Sequence, residues 1–147
     1  MKVIRKKWGK LEVVEEPVSL AQYRCLAVDV FSIAASLSNP RELFISAAAS
    51  GIDVVFVLDA WHESHMSLAR RYMELCRDYM IPCVLSERRP AEELAVELAC
   101  ARGCAVVTRD YDAVRRAEEL NCDVDVVIQK AGRYYRVRKA SSSGSRI

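Results

Sequence analysis

Five short apolar segments alternate with helix-like segments over most of this sequence, and this alternation constrains the fold more than any other feature. The apolar segments cover residues 25–28, 53–58, 81–85, 104–108 and 124–128. They are apolar on both faces, which is typical of parallel strands covered by helices on both sides. The sequence therefore predicts an α/β fold with three layers, α/β/α, around a mostly parallel five-stranded sheet.

The segments between the strands carry the start and stop signals of helices. Helices are predicted from Pro40 to residue 50, over residues 64–79, from Pro90 to Arg102 with Gly103 as the stop, and over residues 111–120. Pro82 lies in the third strand and cannot donate a backbone hydrogen bond, so this strand is expected at an edge of the sheet.

The domain organisation follows from where this regular pattern begins and ends. Residues 1–23 are interpreted as a basic N-terminal extension, in which residues 2–5 and 11–14 could pair as a hairpin. Residues 24–140 are predicted to form the main domain, with residues 134–137 as a terminal edge strand. The serine-rich residues 141–147 are predicted to be a disordered tail.

The charges are unevenly distributed, although the net charge is only +2. Residues 1–10 and 131–147 carry five basic side chains each and no acid, while residues 11–130 carry 12 basic and 20 acidic side chains. Basic ends interleaved with aromatic residues suit a phosphate backbone with stacked bases. The candidate contacts in these ends are Lys6, Lys7, Arg136 and Arg138, and the alternative is that they are simply solvated.

The apolar runs are near ten residues long, too short to span a bilayer at about 20 residues. No apolar region or cleavage site follows the charged N-terminus, so we expect no signal peptide, no membrane contact and a cytoplasmic location. Apolar residues make up 52% of the chain, enough for a substantial core.

The six cysteines contain no C-x-x-C pair, which argues against a zinc ribbon and a thioredoxin-like site. Cys25, Cys83 and Cys104 lie in strand-like runs and are interpreted as small buried hydrophobic residues. The sequence leaves the existence of disulfides open.

Acidic residues follow three of the five predicted strands. Asp29, Asp59 and Asp110 stand at or just beyond the strand ends, and Asp112 lies two residues after Asp110. Because parallel strands place their carboxyl ends on one edge of the sheet, these side chains are expected to converge where open α/β sheets bind ligands. The helix after the third strand adds Glu92, on the flank of its apolar face, or Glu93.

Several carboxylates at close quarters raise one another's pKa unless a cation neutralises them. Oxygen ligands without a histidine or cysteine partner select Mg²⁺ or Mn²⁺, and two such ions suit phosphodiester cleavage. The alternative is that each aspartate only caps the following helix. Histidines His62 and His65 follow Asp59, but surface or cap roles are favoured for them.

Four segments with their acids resemble the PIN-like nuclease superfamily. The segments are Leu26-Ala27-Val28-Asp29, Phe56-Val57-Leu58-Asp59-Ala60, Pro90-Ala91-Glu92-Glu93-Leu94-Ala95 and Val106-Val107-Thr108-Arg109-Asp110-Tyr111-Asp112. This superfamily includes PIN domain ribonucleases, flap-endonuclease-type 5′-nucleases and NYN domains. The resemblance covers roughly residues 24–130 and implies a strand order of 3-2-1-4-5.

The resemblance implies metal-dependent cleavage of nucleic acid, with Asp29, Glu92, Asp110 and Asp112 as the catalytic acids. Asp59 matches an acid of the 5′-nuclease and NYN branches, and Glu93 remains an alternative metal ligand. The chain departs from the family pattern at Val30-Phe31, where a small polar residue is common, and Ser32 is the nearest substitute.

The expected function is that of a metal-dependent nuclease, with RNA favoured over DNA because 147 residues leave no room for the helical arch of flap endonucleases. Arg88, Arg89 and Arg109 are candidate phosphate contacts at the same edge, or else solvated charges. A homodimer and an inhibitory partner protein remain open. The alternatives are a catalytically weak scaffold that binds nucleic acid or protein, and a response-regulator-like phosphoacceptor domain using Asp29, Asp59, Thr108 and Lys130.

Overall fold

A computed structural model describes residues 4–8 and 11–140, in which eight strands form one mixed sheet. The strands are β1 (Ile4–Trp8), β2 (Leu11–Pro17), β3 (Cys25–Asp29), β4 (Asp53–Asp59), β5 (Cys83–Ser86), β6 (Ala105–Thr108), β7 (Val126–Lys130) and β8 (Arg133–Lys139). Their order across the sheet is β1-β2-β8-β7-β6-β3-β4-β5. The predicted disordered tail, residues 141–147, lies outside the described residues.

The sheet consists of a parallel part and an antiparallel part. Strands β3 to β7 are parallel and lie in the order β7-β6-β3-β4-β5, which corresponds to 3-2-1-4-5 when these five strands are counted along the chain. Strands β1, β2 and β8 extend the sheet by antiparallel pairing beside β7. The prediction of five strands was therefore wrong in number, because the terminal segments join the sheet as well.

Five helices cover the two faces of the sheet. They are α1 (Val30–Ala34), α2 (Arg41–Ala49), α3 (Met66–Asp78), α4 (Ala91–Arg102) and α5 (Asp112–Glu119). Helices α1, α2 and α3 pack on one face, and α4 and α5 pack on the other. No helix within the described ranges is long and apolar enough to cross a lipid bilayer.

Each parallel strand contributes to both cores, which explains its continuous apolar run. In β3, Ala27 packs with α4 while Val28 packs with α1 and α2, and both are buried. Alanine and valine side chains on the buried face of α4 let this helix approach the sheet closely. Gly103 then ends α4 in a left-handed conformation with φ +72°, as the sequence predicted.

A buried ion pair connects the N-terminal hairpin to the parallel strands. Glu15 on β2 is only 1% exposed, and its Oε1 lies 2.5 Å from the Lys130 Nζ at the end of β7. The Tyr111 hydroxyl donates a hydrogen bond of 2.7 Å to the Glu15 Oε2. The segment interpreted as an extension thus contacts the loop that leads into α5.

Two disulfides connect distant parts of the chain. Cys25 at the start of β3 pairs with Cys104 just before β6, and Cys100 in α4 pairs with Cys122 after α5. Interpreting Cys25 and Cys104 as buried hydrophobic residues was therefore wrong, because neighbouring strands place them with Cα atoms 4.7 Å apart. Cys83 carries a free thiol.

Candidate active site

Five carboxylates come together at the carboxyl edge of the parallel strands. Asp29 ends β3, Asp59 ends β4, Asp110 follows β6, Asp112 begins α5 and Glu92 lies in the first turn of α4. All five line one cleft of about 630 Å³. Acids separated by more than 80 residues of sequence therefore share one site, as expected from the polarity of parallel strands.

The tightest group within the cleft consists of three carboxylates. Oxygen atoms of Glu92, Asp110 and Asp112 all lie within 4.8 Å of one another. Side chains from α4, the β6–α5 loop and α5 thus face one small volume. Such spacing allows a single cation to contact all three oxygens.

Asp29 is the most buried acid of the site, with 6% of its surface exposed. Its Oδ2 accepts a hydrogen bond of 2.8 Å from the Thr108 hydroxyl. Burial raises the pKa of the Asp29 carboxyl; hydrogen bonds from Thr108 and Ser32 oppose this rise, while the charges of Asp110 and Asp59 add to it. Asp29 makes no side-chain capping hydrogen bond to α1, which argues against a role as a helix cap.

Burial and neighbouring negative charge raise the pKa of Glu92 to about 7. Burial is the largest cause, and the charges of Asp110, Asp29 and Glu93 contribute to the rise. The carboxyl is therefore partly protonated at neutral pH unless a cation is present. A dication at this position would favour its ionised form.

Hydroxyl and amide groups order the loop between β6 and α5. The Thr108 Oγ1 accepts a hydrogen bond of 3.1 Å from the Asp110 amide, and the Asp110 Oδ1 accepts one of 2.9 Å from the Asp112 amide. The Ser32 hydroxyl accepts a hydrogen bond of 3.1 Å from the Arg109 amide. Ser32 thus supports this loop from α1, although the sequence showed it only as a substitute for a family residue.

Asp59 is held by the loop that follows it. Its Oδ1 accepts a hydrogen bond of 3.3 Å from the Trp61 amide, and its Oδ2 lies 3.4 Å from the His65 Nδ1. His65 also lines the cleft together with Phe31, Leu68 and Tyr72. Sequence reasoning favoured a surface role for His65 and assigned no site role to Phe31, since neither residue belongs to a periodic or acidic pattern.

The structure separates the two candidate glutamates. Glu92 faces the cleft, whereas Glu93 forms an ion pair with Arg116 of α5. Glu93 is absent from the group of clustered carboxylates found among the described residues. Helix geometry explains this difference, because consecutive residues point about 100° apart around a helix.

Three of the candidate nucleic-acid contacts form internal ion pairs, although Arg138 among them is also exposed. Arg89 forms an ion pair with Glu97, and both Arg136 and Arg138 form ion pairs with Glu16. Lys7, Arg88 and Arg109 are exposed, and the Lys6 side chain lies outside the described part of the chain. Of the three arginines predicted at the acidic edge, Arg109 is nearest in sequence to the clustered acids, because it directly precedes Asp110.

The donor set fits a hard dication. The cleft offers carboxylate oxygens from several elements, and Glu92 carries a raised pKa that a positive charge would lower. Mg²⁺ and Mn²⁺ prefer such oxygen ligands. The residues that could hold such an ion are Glu92, Asp110 and Asp112, and Asp29 and Asp59 line the same cleft.

No protein-family model matches the chain, and no curated protein matches its sequence. The fold matches that of human GEN1 in complex with Holliday junction DNA, with a TM-score of 0.57 and 15% identity over 90% of this chain and 42% of that one. The catalytic core of Rad2 in complex with a DNA substrate matches with a TM-score of 0.59 and 18% identity over 86% of this chain and 50% of that one. The chain has the PIN-like fold.

A third match is the Holliday junction-resolving enzyme GEN1 in complex with product DNA and a Mg²⁺ ion. Its TM-score is 0.55 at 16% identity, with 79% of this chain and 32% of that chain covered. The chain therefore spans between a third and a half of the length of these proteins.

The PIN-like strand order also separates the chain from the response-regulator alternative. Flavodoxin-like domains have the parallel order 2-1-3-4-5, whereas strands β3 to β7 lie in the order 3-2-1-4-5. Lys130, the lysine of that alternative, forms an ion pair with Glu15. The observed strand order is therefore not that of a response-regulator-like phosphoacceptor domain.

Proposed function

We propose that this chain is a divalent-metal-dependent nuclease that hydrolyses phosphodiester bonds in nucleic acid. The observation that carries the proposal is the convergence of five carboxylates in one cleft at the carboxyl edge of a PIN-like sheet. The solved structures with this fold contain DNA, and one of them contains Mg²⁺. These features together support a nucleic-acid substrate and a bound dication.

We assign metal binding to Glu92, Asp110 and Asp112, whose oxygens are closest together. Asp29, oriented by a hydrogen bond from Thr108, adds a further carboxylate to the same cleft. A bound Mg²⁺ or Mn²⁺ would polarise the scissile phosphate and stabilise the charge that develops on its oxygens. Asp59 lines the same cleft beside His65 and would accept a hydrogen bond from water there.

The choice between RNA and DNA belongs to the same proposal. The sequence resemblance to PIN domain ribonucleases favours RNA, whereas the matching solved structures contain DNA. The carboxylate cleft, as described, does not distinguish the two sugars. The proposed reaction is therefore phosphodiester hydrolysis, and RNA and DNA are compared directly as substrates.

The proposal is tested with end-labelled single-stranded RNA, single-stranded DNA and flapped duplex DNA in Mg²⁺, Mn²⁺ or EDTA. We expect cleavage only with a dication, and a loss of at least about 100-fold in rate for Asp29→Asn and Asp110→Asn. Asp53→Asn is the matched control, because Asp53 is exposed at the start of β4, at the opposite end of this strand from Asp59. Its cleavage rate should stay near that of the parent.

Nucleic-acid binding separates this function from a catalytically weak scaffold. A parent protein that binds all of these substrates without cleaving any of them contradicts the nuclease proposal. Cleavage that persists in both asparagine variants would assign the activity to a contaminating enzyme. Isothermal titration with Mn²⁺ provides an independent check, because Asp110→Asn should weaken binding of the ion.

A further inference from the structure

A row of aromatic side chains leads from the carboxylate cleft to the surface. This aromatic row consists of Phe31, His65, His62 and Trp61, in that spatial order. Ring centroids are 5.3 Å apart between Phe31 and His65, 5.5 Å between His65 and His62, and 4.3 Å between His62 and Trp61. Tyr72 packs edge-on against Phe31 at the inner end of the row, with the two ring centroids 5.3 Å apart.

The row is joined to the acidic site at its inner end. Phe31 and His65 line the same cleft as the five carboxylates. The Asp59 carboxylate lies 3.4 Å from the His65 Nδ1 and accepts a hydrogen bond from the Trp61 amide. One acid of the site therefore contacts the His65 ring and the backbone of Trp61, and it holds the loop between these two residues.

The outer end of the row exposes apolar surface that the fold does not use. Trp61 is 41% exposed, although a tryptophan of this fold would gain free energy by burial. Leu68 on α3 lines the cleft and is 38% exposed. Met66, the first residue of α3, is exposed as well. The exposed polar residues Glu63, Ser64 and Ser67 stand on either side of it in the chain, whereas the centre of a protein interface is continuously apolar.

A nucleotide has the chemistry that this arrangement would recognise. In a nucleic-acid strand each phosphate is adjacent to a base, so a phosphate at the carboxylates places a flat aromatic base beside the row. Aromatic side chains bind bases by stacking, largely irrespective of sequence. The face of a base within a duplex is already covered by its neighbours, so such a base would have to be unstacked before it could bind the row.

We propose that the aromatic row is a stacking platform for an unpaired base next to the phosphate held at the carboxylates. The inference rests on the proposed nuclease function and specifies its substrate class as a strand with unpaired nucleotides at the cleavage site. Trp61 is the principal contact, since it is the exposed end of the row. Stacking makes no use of the sugar, so the platform serves RNA and DNA alike.

The test uses Trp61 itself as the probe. The chain has two tryptophans, so Trp8→Phe leaves Trp61 as the single tryptophan fluorophore. Titration with a short thymidine oligonucleotide in Ca²⁺, with strand integrity verified on a gel, should quench the Trp61 emission. If Trp8→Phe impairs folding, the Trp61 signal is obtained as the difference between the parent and Trp61→Ala.

Binding affinities provide the second measurement. We expect Trp61→Ala to weaken binding of the single strand about 10-fold and Trp61→Phe about 3-fold or less, because phenylalanine keeps an aromatic face. Affinity for a blunt duplex should change less than about 2-fold, since its bases are already stacked. The control Ile45→Ala removes a side chain that is 46% exposed on α2 and should bind like the parent.

The inference is overturned if Trp61 emission is not quenched, or if the Trp61→Ala protein binds the single strand like the parent. Either result would assign this surface to another partner, such as a second copy of the chain. Quenching without cleavage by the parent would support the platform while contradicting the nuclease proposal. Cleavage that is insensitive to Trp61→Ala, with no quenching, would contradict the platform alone.

Discussion

Thr108 organises the carboxylate site although it carries no charge. Its side chain is fully buried and donates to the Asp29 Oδ2 at 2.8 Å while accepting from the Asp110 amide at 3.1 Å. One hydroxyl therefore positions the acid of β3 relative to the loop after β6. The sequence showed Thr108 as part of the Thr108–Asp112 segment, but only the structure shows this pair of hydrogen bonds.

Replacement of this hydroxyl by a methyl group tests the positioning role. Thr108→Val should lower the free energy of unfolding by about 1–2 kcal/mol, because it removes a buried hydrogen bond to a carboxylate. It should also weaken Mn²⁺ binding, measured by calorimetry, because Asp29 and the Asp110 loop lose a shared partner. Thr108→Ser keeps the hydroxyl and should bind Mn²⁺ like the parent; equal weakening in both variants would refute the role of the hydroxyl.

The pKa of Glu92 predicts a pH dependence of stability. Its value is raised from the ordinary 4.5 to about 7 in the folded protein, so between these values the folded state binds more protons than the unfolded state. Rising pH therefore lowers stability across this window, by about 1–3 kcal/mol for this one group. We expect denaturation in EDTA to show this loss in the parent and a smaller loss in Glu92→Gln.

A bound dication should restore the stability that the protein loses as the pH rises to about 7, because it stabilises the ionised Glu92 carboxylate. Thermal unfolding of the parent with Mn²⁺ measures this gain, and Glu92→Gln should gain less. Identical pH profiles of the parent and Glu92→Gln in EDTA would contradict the raised pKa.

At the scale of elements, the hairpin of β1 and β2 contributes to the site's surroundings through Glu15. This carboxylate is paired with Lys130 at the end of β7 and accepts a hydrogen bond from Tyr111, which stands between Asp110 and Asp112. The hairpin thereby supports the loop that carries Asp110 and leads to Asp112 at the start of α5. The sequence could not show this connection, because Glu15 and Tyr111 are 96 residues apart.

Substitution of Lys130 tests how much its ion pair stabilises the buried Glu15 carboxylate. Lys130→Met should lower the free energy of unfolding by about 1–3 kcal/mol, because the buried Glu15 carboxylate loses the positive charge of Lys130. The double variant Glu15→Gln/Lys130→Met removes the charge as well and should recover part of this loss. Urea denaturation measures both, and additive losses from the two substitutions would argue against coupling between them.

Most elements were predictable from local sequence, whereas the acids could be only partly assigned. The apolar run before Asp29 and the Pro90 to Gly103 signals predicted β3 and α4, because burial and capping act over a few residues. Helix α1 was missed, since its five residues follow β3 directly and have no stop signal of their own. The choice of Glu92 over Glu93 depended on the exact rotation of α4 against the sheet.

At the scale of the whole molecule, two disulfides connect residues separated by 79 and 22 positions. Loops of this size predict a gain of about 2–4 kcal/mol each, because the crosslinks reduce the entropy of the unfolded chain. Cys100→Ser/Cys122→Ser should therefore show a lower free energy of unfolding. Thiol titration of the denatured protein should give two free thiols without reductant and six with it; six thiols without reductant would contradict the pairing.

The distribution of charge over the whole molecule predicts salt-dependent nucleic-acid binding. Arg109 is exposed beside the site, whereas Arg136 already forms an ion pair with Glu16. Arg109→Ala should reduce the slope of log affinity against log salt by about 1, as expected for one lost phosphate contact. Arg136→Ala should change this slope less, because Arg136 is already paired with Glu16. Equal effects of the two substitutions would show that this ion pair does not prevent Arg136 from binding a phosphate.

The amino-acid sequence alone determined the alternation of buried strands and helices and the position of an aspartate at the end of each of three strands. Both depend on local patterns of burial, and the common direction of parallel strands then brings those aspartates to one edge. Tertiary structure decided the pairing of the terminal strands, the disulfides, the choice between Glu92 and Glu93, and the contact of the aromatic row with Asp59. These features depend on side chains far apart along the chain, whose proximity no local pattern encodes.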